Sequence, residues 1–189
     1  MITQRPAPKY HQWTRPSPKE SPITRYIVIS DGPAQPNPSA LDACWEQVLI
    51  AHPELAGDYQ VRSLGIDAET TEQIFGFIQS REKVATFSLP WVLEANHFPH
   101  PNVGMPILLC DYDGKPRLVV KLTDIRNITF GEMGINESSL DGPPVQDPDI
   151  WIPLHRNYWN GLLAHYGREC TDDMPVLIEP FDYIGTVSG

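Results

Sequence analysis

Ser80-Arg81-Glu82-Lys83-Val84-Ala85-Thr86-Phe87-Ser88-Leu89-Pro90-Trp91 is the segment at which the hydrophobic pattern of the chain changes period. It joins a helical pattern to a strand pattern and carries a lysine, two hydroxyls and an indole. Upstream, residues 67–79 read as a helix: Asp67 stands at the capping position, and Ile74, Phe75 and Ile78 fall on one face. Residues 84–88 are short and β-prone and read as a strand. Alternation along an ideal strand places Lys83 and Thr86 on opposite faces. They share one cleft only if Lys83 lies in the turn before the strand or a bulge intervenes.

Working outward, Ser39 can cap a helix with Asp42 reciprocating, and Leu41, Cys44, Trp45, Val48 and Leu49 follow at helical spacing until Pro53. Residues 107–112 and 118–122 flank Asp113-Gly114-Lys115-Pro116, a hairpin signal, and the second strand extends toward Ile125. Glycines and prolines make residues 131–148 irregular. A helix over 149–166 presents Trp151, Leu154, Tyr158, Leu162 and Tyr166 as its apolar face, with Pro153 near its first turn and Gly167 at its end. Residues 174–184 form a closing strand in which Pro180 implies an edge or a bulge. Helices, a hairpin, a further helix and a final strand define an α+β fold: a small mixed or antiparallel β-barrel flanked by helices.

Composition bounds the rest. The chain has 189 residues, 41% hydrophobic and 20% charged, an ordinary globular profile for one domain. Eight of its 20 prolines fall before residue 39, so residues 1–39 read as a proline-rich basic arm and 40–189 as the domain. The arm carries one short strand pattern at 26–29, and Tyr10, His11 and Trp13 suit it to strap onto the body or meet a partner. Residues 1–25 hold five basic residues and one acid; subtracting that +4 from the chain's −10 leaves −14 for the remainder. So acidic a body does not suit non-specific binding of long nucleic acid, although a small basic cleft remains compatible with it. No uncharged run approaches the ~20 residues of a membrane span, the amino terminus lacks a secretory pattern, and Cys44, Cys110 and Cys170 are scattered as in free thiols. These features point to a cytoplasmic protein without membrane association.

No phosphate-cradling glycine loop, dinucleotide fingerprint or G-x-S-x-G elbow occurs. The one candidate metal pair is His97-Phe98-Pro99-His100, where Pro99 bars a regular helix and no further ligand lies nearby in sequence. Neither a metal nor a cofactor is expected. His155, within a helix, reads as a hydrogen-bonded structural residue.

The quoted stretch resembles the signature of ASCH-domain proteins, a PUA-like β-barrel family whose hallmark is G-x-K-x-x-T-x-S-L followed by an aromatic. Lys83, Thr86, Ser88, Leu89 and Trp91 fall in register, with Ser80 or Arg81 where glycine is usual. Later features keep the family's order: Thr123-Asp124-Ile125, Phe130-Gly131-Glu132, an acidic loop, a tryptophan-containing helix with His155, then Asp173-Met174-Pro175-Val176 and Phe181. The resemblance covers about residues 40–184 and leaves the arm aside. It implies a cleft beside the barrel that accepts RNA or a small modified nucleoside, with Ser88, Trp91 and Tyr158 as ligand-binding residues. Some members hydrolyse the amide of an acetylated cytidine with a lysine, a threonine and a glutamate, and ribonuclease activity is proposed for others.

Lys83 and Thr86 match the first two positions of that set. The acid belongs to the loop Glu137-Ser138-Ser139-Leu140-Asp141-Gly142-Pro143-Pro144, where Asp141 aligns best and Glu137 second. In such a site the lysine takes the threonine proton, and the acid protonates the leaving amine. Aspartate is one methylene shorter than glutamate, and Pro143 replaces a second acid common in relatives. Three readings follow: a binding module, an amidohydrolase acting on an acylated nucleoside, and a protein that docks a partner through its arm. A cleft lysine carries little packing, so replacing Lys83 is expected to leave folding intact.

Overall fold

Asn37, not Ser39, starts the first helix. Its Oδ1 accepts from the amides of Ser39 (2.9 Å) and Ala40 (3.3 Å), and Pro38 takes the first helical position, where a missing N–H costs nothing. The computed structural model describes residues 25–27 and 33–187; the rest of the arm, including Tyr10, His11 and Trp13, lies outside them.

In chain order the elements are β1 (Arg25–Ile27), α1 (Pro38–Ala51), β2 (Gln60–Ser63), α2 (Ala68–Gln79), β3 (Ala85–Ser88) and α3 (Pro90–Ala95). There follow β4 (Pro106–Cys110), β5 (Pro116–Leu122), β6 (Arg126–Thr129), α4 (Ile135–Ser138), α5 (Pro148–Leu163) and β7 (Pro175–Thr186). The strands form one mixed sheet in the order β1-β2-β4-β5-β7-β3, with β6 also on β7. β1–β2 and β2–β4 are parallel, and the other pairs are antiparallel.

The sheet is strongly curled. Arg62 of β2 reaches Glu179 of β7, although β4 and β5 lie between them in strand order. Side chains of one parity therefore face inward: Gln60, Arg62, Ile107, Leu109, Leu118, Val120, Leu122, Thr86, Ser88, Leu177, Glu179 and Phe181. α2 fills much of that space with Phe75 and Ile78, capped at its start by Asp67, whose Oδ1 accepts from Thr70 N at 2.7 Å. The opposite parity packs outward, Val61, Leu108 and Val119 under α1 and Ala85, Phe87, Val176 and Ile178 under α5.

Several sequence expectations change. Pro180 is not on an edge, because β7 runs between β3 on one side and β5 with β6 on the other. It sits where that neighbour breaks between Leu122 and Arg126, so its missing N–H leaves no ladder bond unmade, while its carbonyl accepts from Thr123 N at 2.9 Å. The buried face of α5 is Trp151, Trp159, Leu162 and Leu163, and Leu154 is 47% exposed. Two indoles offer more apolar area than one leucine, and they set the rotation of the helix. Pro153 lies in the second turn on the exposed side, where water can serve the carbonyl it leaves free. The irregular stretch contains the short helix α4, and Cys44, Cys110 and Cys170 are all buried and free.

Arg62 and Glu179 are 5% and 0% exposed. The guanidinium donates to both carboxylate oxygens, Nη1 to Oε2 at 2.5 Å and Nη2 to Oε1 at 3.1 Å. Nε and Nη2 also donate to Gln60 Oε1 at 3.0 and 2.6 Å. Arg62→Ala would strand a buried carboxylate, so urea unfolding should show a loss of about 3–5 kcal/mol. Arg62→Met combined with Glu179→Leu should recover most of it.

Candidate functional site

The site begins at the turn that ends α2. The amides of Glu82 and Lys83 both donate to the Phe77 carbonyl, at 2.8 and 2.9 Å. Closing the turn this way puts Arg81 in the left-handed region, at φ 63°. Arg81 thus occupies the position where the family's signature usually has glycine, and it does so at a steric cost of about 1–2 kcal/mol. The amides of Val84 and Ala85 then donate to the Leu140 carbonyl at 2.9 and 3.2 Å, which carries the loop after α4 alongside β3.

That alignment joins Lys83 and Asp141. Lys83 Nζ donates to Asp141 Oδ1, which also accepts from Gly142 N at 2.8 Å. Asp141 Oδ2 accepts from the indole N–H of Trp151 at 3.0 Å. Lys83 and Asp141 are each 6% exposed. Burial pushes the Asp141 carboxyl up, but the Lys83 ammonium, its hydrogen bond and the Gly142 amide outweigh that and hold it below the ordinary range. Gly142 is needed here, since a Cβ would fall 2.7 Å from Phe77 Cδ2. Gln146, which sequence reasoning passed over, closes the loop: its Nε2 donates to the carbonyl of Asp141 at 2.8 Å and of Ser139 at 3.2 Å.

His155 stacks on Trp151, with ring centroids 3.6 Å apart at 15°. Its Nδ1 lies 2.9 Å from the Trp151 carbonyl, so that nitrogen carries the proton, and Nε2 stands 3.8 Å from Asp141 Oδ2. Burial pushes the imidazole down to about 4, which keeps it neutral at pH 7.

The remaining expected residues lie elsewhere. Lys83 faces α5, with Nζ 5.5 Å from the Phe87 ring centroid. Thr86 pairs with Glu179 and faces inward. The two side chains are on opposite faces, and Lys83's position before β3 does not bring them together. Ser88 shares the inner face with Thr86, and its Oγ is buried without a hydrogen-bond partner among the described residues. Glu137 is outside the Lys83 cluster: its Oε2 accepts from Gly134 N at 3.2 Å and its Oε1 lies 3.8 Å from Arg126 Nη1. Trp91 is half-buried on α3 beneath the Arg168 guanidinium, whose carbon is 4.3 Å from the ring centroid. Tyr158 packs against the α5 core, and burial pushes its phenol up to about 12.

Sequence reasoning missed Arg62 and Glu179. Their signal was an acid inside the apolar run 174–181 and an arginine in a short β-prone run, Tyr59-Gln60-Val61-Arg62. His97 takes a left-handed φ of 55°, and among the described residues no three His, Cys, Asp or Glu side chains converge as metal ligands. No helix among the described residues is long and apolar enough to cross a membrane.

A curled half-barrel with a helix inside it, two helices outside and a Lys-x-x-Thr strand entry defines a PUA-like domain. The ASCH domain model matches residues 62–185, and the chain belongs to the ASCH-domain family. A structure of an ASCH domain from Lactobacillus crispatus JV V101 superposes with TM-score 0.67 at 21% identity, covering 82% of this chain and 98% of that one. A protein from Enterococcus faecalis V583 gives TM-score 0.70 at 17% identity, covering 79% of this chain and 90% of that one. No curated protein matches significantly. The match begins at Arg62, so α1 lies outside it.

Burial overturns the expectation that Lys83 can be removed freely. Lys83→Ala leaves Asp141 charged and buried, and chemical denaturation should show a loss of about 3–5 kcal/mol. Adding Asp141→Asn to that variant should restore a substantial part. His155 sets an acid limb. Its folded value is about 4 against 6.5 in the unfolded chain, so between these the unfolded state binds one more proton. The His155 contribution should fall as pH drops from 6.5 toward 4, by about 3 kcal/mol in all, and the depressed Asp141 carboxyl should continue the decline below its ordinary 3.8. Denaturation at stepped pH checks this, and His155→Gln should flatten that limb.

Proposed function

We propose that this protein recognises a single-stranded RNA element or a small modified nucleoside, with Thr86 and Ser88 on the inner face of the half-barrel as hydrogen-bonding groups. The observation that carries the reading is the Ser88 hydroxyl, buried beside Thr86; among the described residues neither hydroxyl has a hydrogen-bond partner. A buried hydroxyl left unpaired costs about 1–3 kcal/mol, and a ligand's polar edge would remove that penalty. Arg62 and Glu179 form the wall beside these hydroxyls and neutralise one another. An uncharged base suits such a wall better than a phosphate does. Membership of the ASCH family, whose resemblance implies a cleft for RNA or a nucleoside, supports the same class of ligand.

The amidohydrolase reading needs a basic lone pair on Lys83 within reach of the Thr86 hydroxyl. Lys83 Nζ instead donates to Asp141, on the other face of the strand. Recognition is therefore the reading we favour over turnover. Action through the proline-rich arm rests on residues outside those described.

The test is a thermal-shift titration of the full chain with unmodified and acylated nucleosides and short single-stranded RNA, followed by chromatography of the recovered ligands. Wild type should be stabilised by one ligand and return it unchanged. Ser88→Ala should raise the stability of the free protein by about 1 kcal/mol while weakening that ligand. Loss of the acyl group in the wild-type incubation would replace recognition by hydrolysis, and ligand binding that Ser88→Ala and Thr86→Val leave intact would sink the inner-face reading.

A further inference from the structure

The side of α5 turned away from the sheet carries a pattern that its own packing does not require. From Ile150 to the end of the helix the exposed positions are Ile150, Pro153, Leu154, Asn157, Asn160 and Gly161, and Ala164 continues the row past the end. At 3.6 residues per turn they fall in one stripe about 20 Å long. None of them is charged, although the chain carries a net −10, and Ile150 and Leu154 are 48% and 47% exposed. A solvated helix face is ordinarily charged and polar. Glycine is among the poorest residues for a helix interior, yet a Cβ at Gly161 would meet nothing within 4 Å. Nothing among the described residues therefore calls for a glycine there, whereas the close approach of another helix would.

The stripe is graded in size. Its bulky members stand toward the start of α5, its small ones toward the end, and Asn157 lies midway. A second α5 laid antiparallel across it sets Ile150 against Ala164, Pro153 against Gly161 and Asn157 against itself. The carboxamide of Asn157 can both donate and accept, so it can pair with its own copy. A contact of this kind is isologous, one patch serving both subunits. Two copies at −10 each repel, so a self-contact has to use a surface without charge, and this stripe is one. We propose that α5 is a self-association face, on which two copies of this chain pair antiparallel about a two-fold axis at Asn157. A single helical stripe falls well short of the ~800 Å² per partner of a standard interface, so the dimer is weak and reversible. Because α5 packs on the outside of the curled sheet, the inner face stays open in both copies.

The test is sedimentation velocity of the full chain from about 10 µM to about 1 mM, where the weight-average mass should rise with concentration. Added salt should strengthen the association, because it screens the repulsion between like-charged copies. Leu154→Glu and Gly161→Leu should each weaken it about ten-fold or more, the first by burying a charge and the second by filling the space the partner helix needs. Neither variant should lower the melting midpoint at low concentration, since Leu154 is half-exposed and the space beside Gly161 is empty. Under mild oxidation Asn157→Cys should form a covalent dimer, because that position meets itself, and Ile150→Cys should not; Cys44, Cys110 and Cys170 are buried and do not compete. A monomer at every concentration, association that either variant leaves intact, or cross-linking through Ile150→Cys rather than Asn157→Cys overturns the proposal. Association that weakens with salt would assign the contact to the basic arm on an acidic body, and would overturn it as well.

Discussion

A guanidinium and a carboxylate, both almost wholly removed from water, hold two strands together that the sheet order separates by two others. Removing two charges from water is costly, and the cost is offset only when each hydrogen-bonding group finds a partner. Here the fork of Arg62 meets both oxygens of Glu179, and Gln60 takes two further donors. That geometry exists only when the sheet is curled, so the pair ties the curl to the inner-face polarity. Everything on that face then follows by parity. Thr86 and Ser88 cannot point elsewhere once β3 is registered against Glu179 and Leu177.

The outer face has its own buried charge, built from different elements. Lys83 and Asp141 meet because the turn after α2 and the loop after α4 share backbone hydrogen bonds, and Gly142 lets that loop approach Phe77. Trp151 and His155 then seal the pair from α5. Two buried ion pairs lie on either side of one strand, neither of them able to relax into solvent. The pairs constrain β3 from both of its faces, and the turn that aims it holds Arg81 in the left-handed region.

Much of this was legible in the residues. The helical stripe of α2, the Asp113-Gly114 hairpin and the Lys-x-x-Thr strand entry each carry strong local signals, and alternation alone separated Lys83 from Thr86. β2 and β6 escaped because each is four residues long; β2 is buried at every position and β6 at none, so neither shows the two-residue period that marks a strand. Ser39 read as a cap because its own chemistry suits the role, but Asn37 with Pro38 behind it suits it better. Leu154 read as core because spacing does not weigh side-chain area, and the two indoles decided the matter. Arg62 and Glu179 were out of reach for a different reason. Their partnership spans 117 residues, and no local pattern distinguishes a buried arginine from a solvated one.

The division of charge bears on what the domain does. The two buried cations beside β3 are both neutralised: Arg62 by Glu179, Lys83 by Asp141. A site made to grip phosphates would leave cations unspent, and the remainder of the chain beyond residue 25 carries −14. The uncommitted chemistry on the inner face is of another kind: the Ser88 hydroxyl, buried with no partner among the described residues, and the Thr86 hydroxyl beside it. Hydroxyls can both donate and accept hydrogen bonds, which suits the polar edge of an uncharged group. Under the proposed reading, the acidity of the body would disfavour long polyanions and leave an uncharged base free to enter.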